Sequence, residues 1–244
     1  MKTKTALITG AAKRIGACIA RSLHASGYDL ILHYRRSDDQ ATALMNEFNQ
    51  IRNNSAWILQ ADWLDDDAIG YLFKKVSERH GGLDVLVNNA SAFYSTPLTE
   101  VNEQDWDRLV GTNLKVPYFL SLAFNTMLSQ NNGCIVNICD IYAWHPLREY
   151  SIYCIAKSGL VAMTRSLALE MGPEVRVNGV APGAILWPED DLSQIKKQNI
   201  LARIPLARIG SPDDIADAVL YLVKNARYVT GQIISIDGGR SLYN

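Results

Sequence analysis

Tyr153 and Lys157 are the two residues of this chain best placed to move a proton. A spacing of four sets both side chains on one face of a helix. A free phenol titrates near 10, and lowering it by about three units takes ~4 kcal/mol. A lysine ammonium ~5 Å away, at an effective dielectric of about 20, supplies roughly 3 kcal/mol. Lys157 alone is therefore expected to make Tyr153 a serviceable proton donor near neutral pH. The same pattern recurs at Tyr71 and Lys75, but inside the charged run LFKKVSERH, with no apolar strand leading into it. That copy reads as a solvated helix face. Tyr153 and Lys157 follow the apolar run GCIVNIC and open a long amphipathic segment, so context selects them.

A second constellation lies near the N-terminus. The first apolar run ends in TGAAKRIG, residues 9–16, and a helical pattern begins inside it. Gly10 permits a tight turn there, and Gly16 lets the helix pack close to the strand. The helix start then presents free N–H groups and a positive dipole end to a pyrophosphate. The next apolar run ends in HYRRS, with Arg35, Arg36 and Ser37 and no acid until Asp38. A carboxylate at that place selects a free ribose hydroxyl, whereas guanidinium forks accept a 2′-phosphate. The expected cofactor is NADPH, a hydride donor to match the proton donor.

The elements that must position these residues alternate regularly. Short β-rich runs at 5–9, 28–34, 55–61, 83–88, 133–139, 175–180 and 232–236 are separated by helical patterns near 14–26, 38–53, 65–80, 102–129, 150–171 and 211–224. Nearly continuous apolar runs suit strands covered on both faces. The alternation predicts an α/β fold of the Rossmann type, a doubly wound parallel seven-stranded sheet with helices on both faces. Ser211 with Pro212 and the acids that follow mark a helix start. The stretch 183–209, containing Trp187, Pro188 and acids at 189–191, has no clear periodicity and reads as a mobile substrate loop.

With 244 residues and no linker-like run, the chain is expected to form one domain, 1–244. A net charge of −1 gives no electrostatic reason for a nucleic-acid or membrane partner. No segment approaches the ~20 apolar residues of a membrane span, and the N-terminal apolar run is too short for a signal peptide. Cys18, Cys134, Cys139 and Cys154 form no CxxC pair and read as small buried residues in a reducing compartment, so the expected location is cytoplasmic. His24, His33, His80 and His145 show no metal spacing, and no metal is expected. Trp57, Trp63 and Trp106 read as packing residues.

Taken together, TGAAKRIG, NNAS at 88–91, Asn113 in GTNLKVPYF, the Tyr153–Lys157 pair, Pro182-Gly183 and the closing DGG at 237–239 resemble the short-chain dehydrogenases/reductases, in order and spacing over almost the whole chain. The resemblance implies cofactor contacts from Gly10, Arg14, Ile15 and Gly16, from Asn89, Ala90 and Ser91, and from Tyr153, Lys157, Pro182 and Gly183. Asp62 would cap the adenine, and Asn113 would hold a water linking Lys157 to solvent. A homotetramer is also implied.

One departure carries chemical weight. Where most members of that family place a serine, thirteen residues before the tyrosine, this chain has Asp140. An ionised carboxylate offers no donor and repels a developing oxyanion, which argues against ordinary ketone chemistry and for a C=N substrate. The alternative is a buried, protonated Asp140 that mimics the serine. Arg14 in place of a glycine, HYRRS, NNASAFYSTPL and Asp140 together resemble the pteridine reductases. By that resemblance Arg14 and Ser91 border the cofactor and substrate, Phe93 stacks the pterin, and Asp140 with Tyr153 handles protonation of a dihydropterin. The alternatives are a ketoreductase acting on a 3-oxoacyl thioester, and a non-catalytic NADPH-binding sensor. Tyr142, Trp144 and Trp187 are open between pocket and packing, and no role is carried onto Arg240.

Overall fold

The computed structural model describes residues 3–79, 81–187 and 193–242. His80, Pro188 and the acids at 189–191 lie outside the described residues. Seven strands form one parallel sheet: β1 (Thr5–Ile8), β2 (Asp29–Tyr34), β3 (Ala56–Gln60), β4 (Val85–Asn88), β5 (Cys134–Ile138), β6 (Arg176–Pro182) and β7 (Ile233–Ile236). Their spatial order is β3-β2-β1-β4-β5-β6-β7, every neighbouring pair parallel. Strand order reverses between β1 and β4, and the crevice outside the strand ends at such a switch point is where open α/β sheets bind ligands.

The helices are α1 (Arg14–Ala25), α2 (Asp38–Ile51), α3 (Ala68–Arg79), α4 (Glu103–Val110), α5 (Val116–Gln130), α6 (Ser151–Glu170), α7 (Gln194–Leu201) and α8 (Pro212–Lys224). Alternation along each strand feeds two cores. Ala6 and Ile8 of β1 face α1, α2 and α8 through Leu23, Phe48 and Val219, all buried together. Leu7 points the other way, among Leu72, Phe124 and Leu160 of α3, α5 and α6. Both faces of every central strand are thus removed from water, at roughly 1.5–3 kcal/mol for each large apolar side chain.

Three expectations change. The helix anticipated over 102–129 is broken into α4 and α5 by a π-helical turn at Gly111–Lys115, which carries Asn113. Such π turns inside helices are frequent at functional sites. The stretch 183–209 is not loop throughout, because α7 forms within it, capped by the Ser193 hydroxyl accepting from the Lys196 N–H. Having no buried residue, α7 gives no apolar periodicity to read. Trp106 is 45% exposed rather than packed. The expected helix start at Ser211 holds: its hydroxyl accepts from the Asp214 N–H while the Asp214 carboxylate accepts from the Ser211 N–H.

By length and composition one described helix, α6, could cross a membrane. It is instead the core helix that carries Tyr153 and Lys157, both buried against β5 and β6.

Candidate active site

The turn between β1 and α1 is built for close approach. Gly10 has φ +62°, and a Cβ there would lie 3.0 Å from the Ala90 Cα. A Cβ on Gly16 would lie 2.3 Å from the Gly10 carbonyl oxygen, so only glycine lets α1 start this near the strand. Asn89 backs the turn, its amide donating to the carbonyls of Thr9 and Gly10 at 2.8 and 3.0 Å. The Thr9 hydroxyl accepts from the N–H groups of both Asn89 and Ala90, each at 2.9 Å. Asn89 and Ala90 therefore shape the turn from behind. Ile15 leans on the core, and Arg14 is exposed at the first residue of α1. Arg14 holds φ +52°, a conformation suited to the glycine it replaces. That costs a side-chain-bearing residue about 1–2 kcal/mol.

At the ends of β2 and β3, Arg35 lies 3.9 Å from the Asp62 carboxylate, and Arg36 is exposed. Ser37 precedes α2 without using its hydroxyl as a cap. His33 sits between the turn and Asp62. Its Nδ1 accepts from the Gly10 N–H at 3.1 Å, its Nε2 lies 3.1 Å from the Ala61 carbonyl, and its ring stacks on Trp63 at 4.1 Å. Burial pulls its pKa down to about 4. The residues at this edge fit a nicotinamide dinucleotide: a glycine cradle that a Cβ would fill, a helix start, and basic groups beyond.

Across the switch point, the Tyr153 hydroxyl donates to Asp140 Oδ2 at 2.7 Å. The other carboxyl oxygen accepts from the Tyr142 N–H at 2.9 Å. Lys157 donates to the Ile138 carbonyl at 2.8 Å, with its ammonium 5.6 Å from the centre of the Tyr153 ring. Tyr153 is 4% and Lys157 3% exposed, so each charge here is felt in a poorly screened setting.

These contacts correct the expectation for Tyr153. Its phenol is held well above 10, first by burial and then by the Asp140 charge and the hydrogen bond to it, with Ser91 acting the other way. Burial pushes the Asp140 carboxyl up, and it pulls the Lys157 ammonium down while Asp140 opposes that shift. Tyr153 and Asp140 thus form one proton-holding unit rather than a tyrosine activated by lysine alone.

Asn113 is tied into the site through its side chain. Its side-chain amide donates to the carbonyls of Ala92 and Leu109 at 2.9 and 2.8 Å, and its oxygen accepts from Ser91 at 2.7 Å. Both side-chain donors are used.

Residues 10–241 match the family described as Enoyl-(Acyl carrier protein) reductase, a short-chain dehydrogenase/reductase grouping. The chain belongs to the short-chain dehydrogenase/reductase family. It is 36% identical over 241 residues to the 3-oxoacyl-[acyl-carrier-protein] reductase FabG of Staphylococcus aureus, spanning 97% of this chain and 98% of that protein. It is 37% identical over 281 residues to Pteridine reductase 1 of Leishmania tarentolae, spanning 97% and 96%. FabG of Thermotoga maritima is 34% identical over 244 residues, spanning 98% of each.

In this reductase Phe93 is 53% exposed. It stacks on Tyr150 at 4.6 Å and meets the Tyr153 ring edge-on at 4.8 Å. Pro182 ends β6, and Gly183 passes so close to Asp237 that a Cβ would lie 2.6 Å from the aspartate's. Tyr142 belongs to the site: its N–H holds Asp140 and its hydroxyl lies 3.4 Å from Arg240. Trp144 is 40% exposed, and Trp187 lies 6.0 Å beneath the Lys197 ammonium of α7. Among the described residues no cluster of His, Cys, Asp or Glu could hold a metal ion.

Sequence reasoning missed Tyr150, whose place at the N-terminus of α6 was the available signal, and the bonds of His33, for which there was none. The positive φ of Arg14 yields a stability prediction. Arg14→Gly should raise the free energy of unfolding by about 1 kcal/mol in urea titration. A loss of stability would show that the guanidinium contributes more than the backbone strain removes.

Proposed function

We propose that this reductase reduces a dihydropterin to the tetrahydro form with NADPH. The observation that carries the reading is the Tyr153–Asp140 hydrogen bond at 2.7 Å beside the half-exposed Phe93. A flat heterocycle on Phe93 gains ring stacking worth about 0.5–1.5 kcal/mol beyond area burial. NADPH supplies the hydride when bound. Gly10, Ile15, Gly16 and the start of α1 would hold its pyrophosphate, Arg35, Arg36 and Ser37 its 2′-phosphate, and Asp62 its adenine edge. Arg14 and Ser91 would border both ligands.

Reduction of a C=N bond adds hydride to carbon and a proton to nitrogen. Tyr153, kept protonated by its surroundings, gives its proton to the nitrogen, and the proton held on Asp140 passes back to the phenolate. Lys157 limits the cost of the transient negative charge. The protonated Asp140 carboxyl keeps acceptor capacity for the amino and ring N–H groups of a pterin, which a ketone lacks.

A second reading, ketoreduction of a 3-oxoacyl thioester, draws support from the raised Asp140 pKa, since a protonated carboxyl can donate as a serine does. The relatives include reductases named for that substrate. The favoured reading has the enzyme in the cytoplasm, its described thiols all unpaired. It also has a homotetramer covering the exposed Tyr118, Phe119 and Leu122 of α5 and Tyr221 of α8.

Loss of NADPH absorbance should follow addition of dihydrobiopterin and not of a 3-oxoacyl thioester, and Tyr153→Phe should reduce that rate at least 100-fold. Turnover of the thioester alone would overturn the pterin reading. Asp140→Ser should shift preference toward the thioester by tenfold or more in the ratio of kcat/KM values. An unchanged ratio would show that Asp140 does not set the substrate class.

A further inference from the structure

We infer that His33 is a positioning residue of the cofactor site, a neutral strut that sets the phosphate turn and the adenine-side loop at a fixed separation. β1 and β3 are not neighbours in the sheet; β2 lies between them. The walls that continue from β1 and β3 therefore share no ladder hydrogen bonds. His33, near the end of β2, bonds to both. The Gly10 N–H can only donate, so the Nδ1 that receives it must carry no proton. The Ala61 carbonyl can only accept, so the Nε2 facing it must carry one. The two bonds together fix one neutral tautomer, with opposite ring nitrogens committed to opposite walls.

The His33 carbonyl adds a third tie, accepting from the Ala11 N–H at 2.9 Å. The N–H groups of Gly10 and Ala11 are thus held by His33, and those of the first turn of α1 are left for a phosphate. On the far wall Ala61 precedes Asp62, and Trp63 covers the imidazole at 4.1 Å with an interplanar angle of 27°. The ring is 1% exposed, so it touches no ligand itself. It acts through the two loops that do.

The inference rests on reading these loops as the dinucleotide site, so it is tested with cofactor alone, by titrating NADPH and NADH fluorescence. Three variants separate the two bonds. In His33→Asn the amide oxygen replaces Nδ1 and keeps the Gly10 bond. His33→Gln reaches the Nε2 position and keeps the Ala61 bond. His33→Phe keeps volume and the stack on Trp63 but makes neither bond. The strut predicts a three- to tenfold rise in Kd for His33→Asn and for His33→Gln, and a rise above tenfold for His33→Phe. In turnover the loss should fall on KM for the cofactor rather than on kcat.

A space-filling role predicts the reverse order, with His33→Phe the least affected, and that order overturns the proposal. Equal Kd values in all four proteins also overturn it. If His33→Phe does not fold, the Asn and Gln variants still decide, since each must bind more weakly than the wild type with its thermal unfolding still cooperative. A wild type that binds neither dinucleotide refutes the cofactor reading itself. Tighter binding of NADH than NADPH would refute only the 2′-phosphate assignment, and the variant order would then be read with NADH.

Discussion

The hydrogen bond from Tyr153 to Asp140 organises the chemistry of this site. It is a buried contact in which burial and then the Asp140 carboxylate raise the phenol's pKa, while burial raises the carboxyl's and the phenol's hydrogen bond opposes that rise. Asp140 stands just past the end of β5, and Tyr153 lies in the first turn of α6. The connection between them has to fold back so that residues 13 apart meet at 2.7 Å. The Tyr142 N–H holds the other carboxyl oxygen, so the carboxylate is oriented as well as placed. Lys157 is fixed by the Ile138 carbonyl and offsets charge without binding either partner directly among the described contacts. A serine in place of Asp140 would leave a simpler tyrosine–lysine pair. The carboxyl adds a second titratable group in direct contact with the phenol.

The sheet explains why this unit and the cofactor turn face one crevice. Reversal of strand order between β1 and β4 opens a gap at the strand ends. The glycine turn follows β1, the Asn89–Ser91 segment follows β4, and Asp140 follows β5. The π-helical turn brings Asn113 into the same gap, where it accepts from Ser91. Each group is rooted in a strand end or helix terminus of a core packed on both faces, which gives the small positional tolerance that proton and hydride transfer require.

All seven strands were legible in the sequence because parallel strands covered on both faces are written as short apolar runs. The glycine turn, the basic end of β2 and the Tyr153–Lys157 pair were legible because their residue types are tied to backbone shape or charge. What was not legible arises from contacts between distant positions. The arithmetic for Tyr153 counted Lys157, four residues away, and predicted a lowered pKa. Folding adds burial and Asp140, and these raise it instead. His33 gave no signal, since its partners Gly10 and Ala61 lie 23 and 28 positions away. The break at Gly111–Lys115 and the helix at Gln194–Leu201 escaped for local reasons: a π turn leaves the surrounding composition unchanged, and α7 buries nothing.

The pH dependence of kcat with saturating NADPH and dihydrobiopterin, compared between the wild type and Asp140→Asn, tests the shared-proton account most directly. Burial raises the Asp140 pKa, so its protonated form persists to higher pH than an ordinary carboxyl's. The protonated pair is the competent one for reduction. The wild-type kcat should therefore be highest at the acid end and decline as pH rises through that pKa, approaching tenfold per unit beyond it. Asp140→Asn cannot titrate there and should be slower with a flat profile over the same range. A wild-type kcat that rises with pH, or an Asn variant that keeps the wild-type decline, would contradict the account.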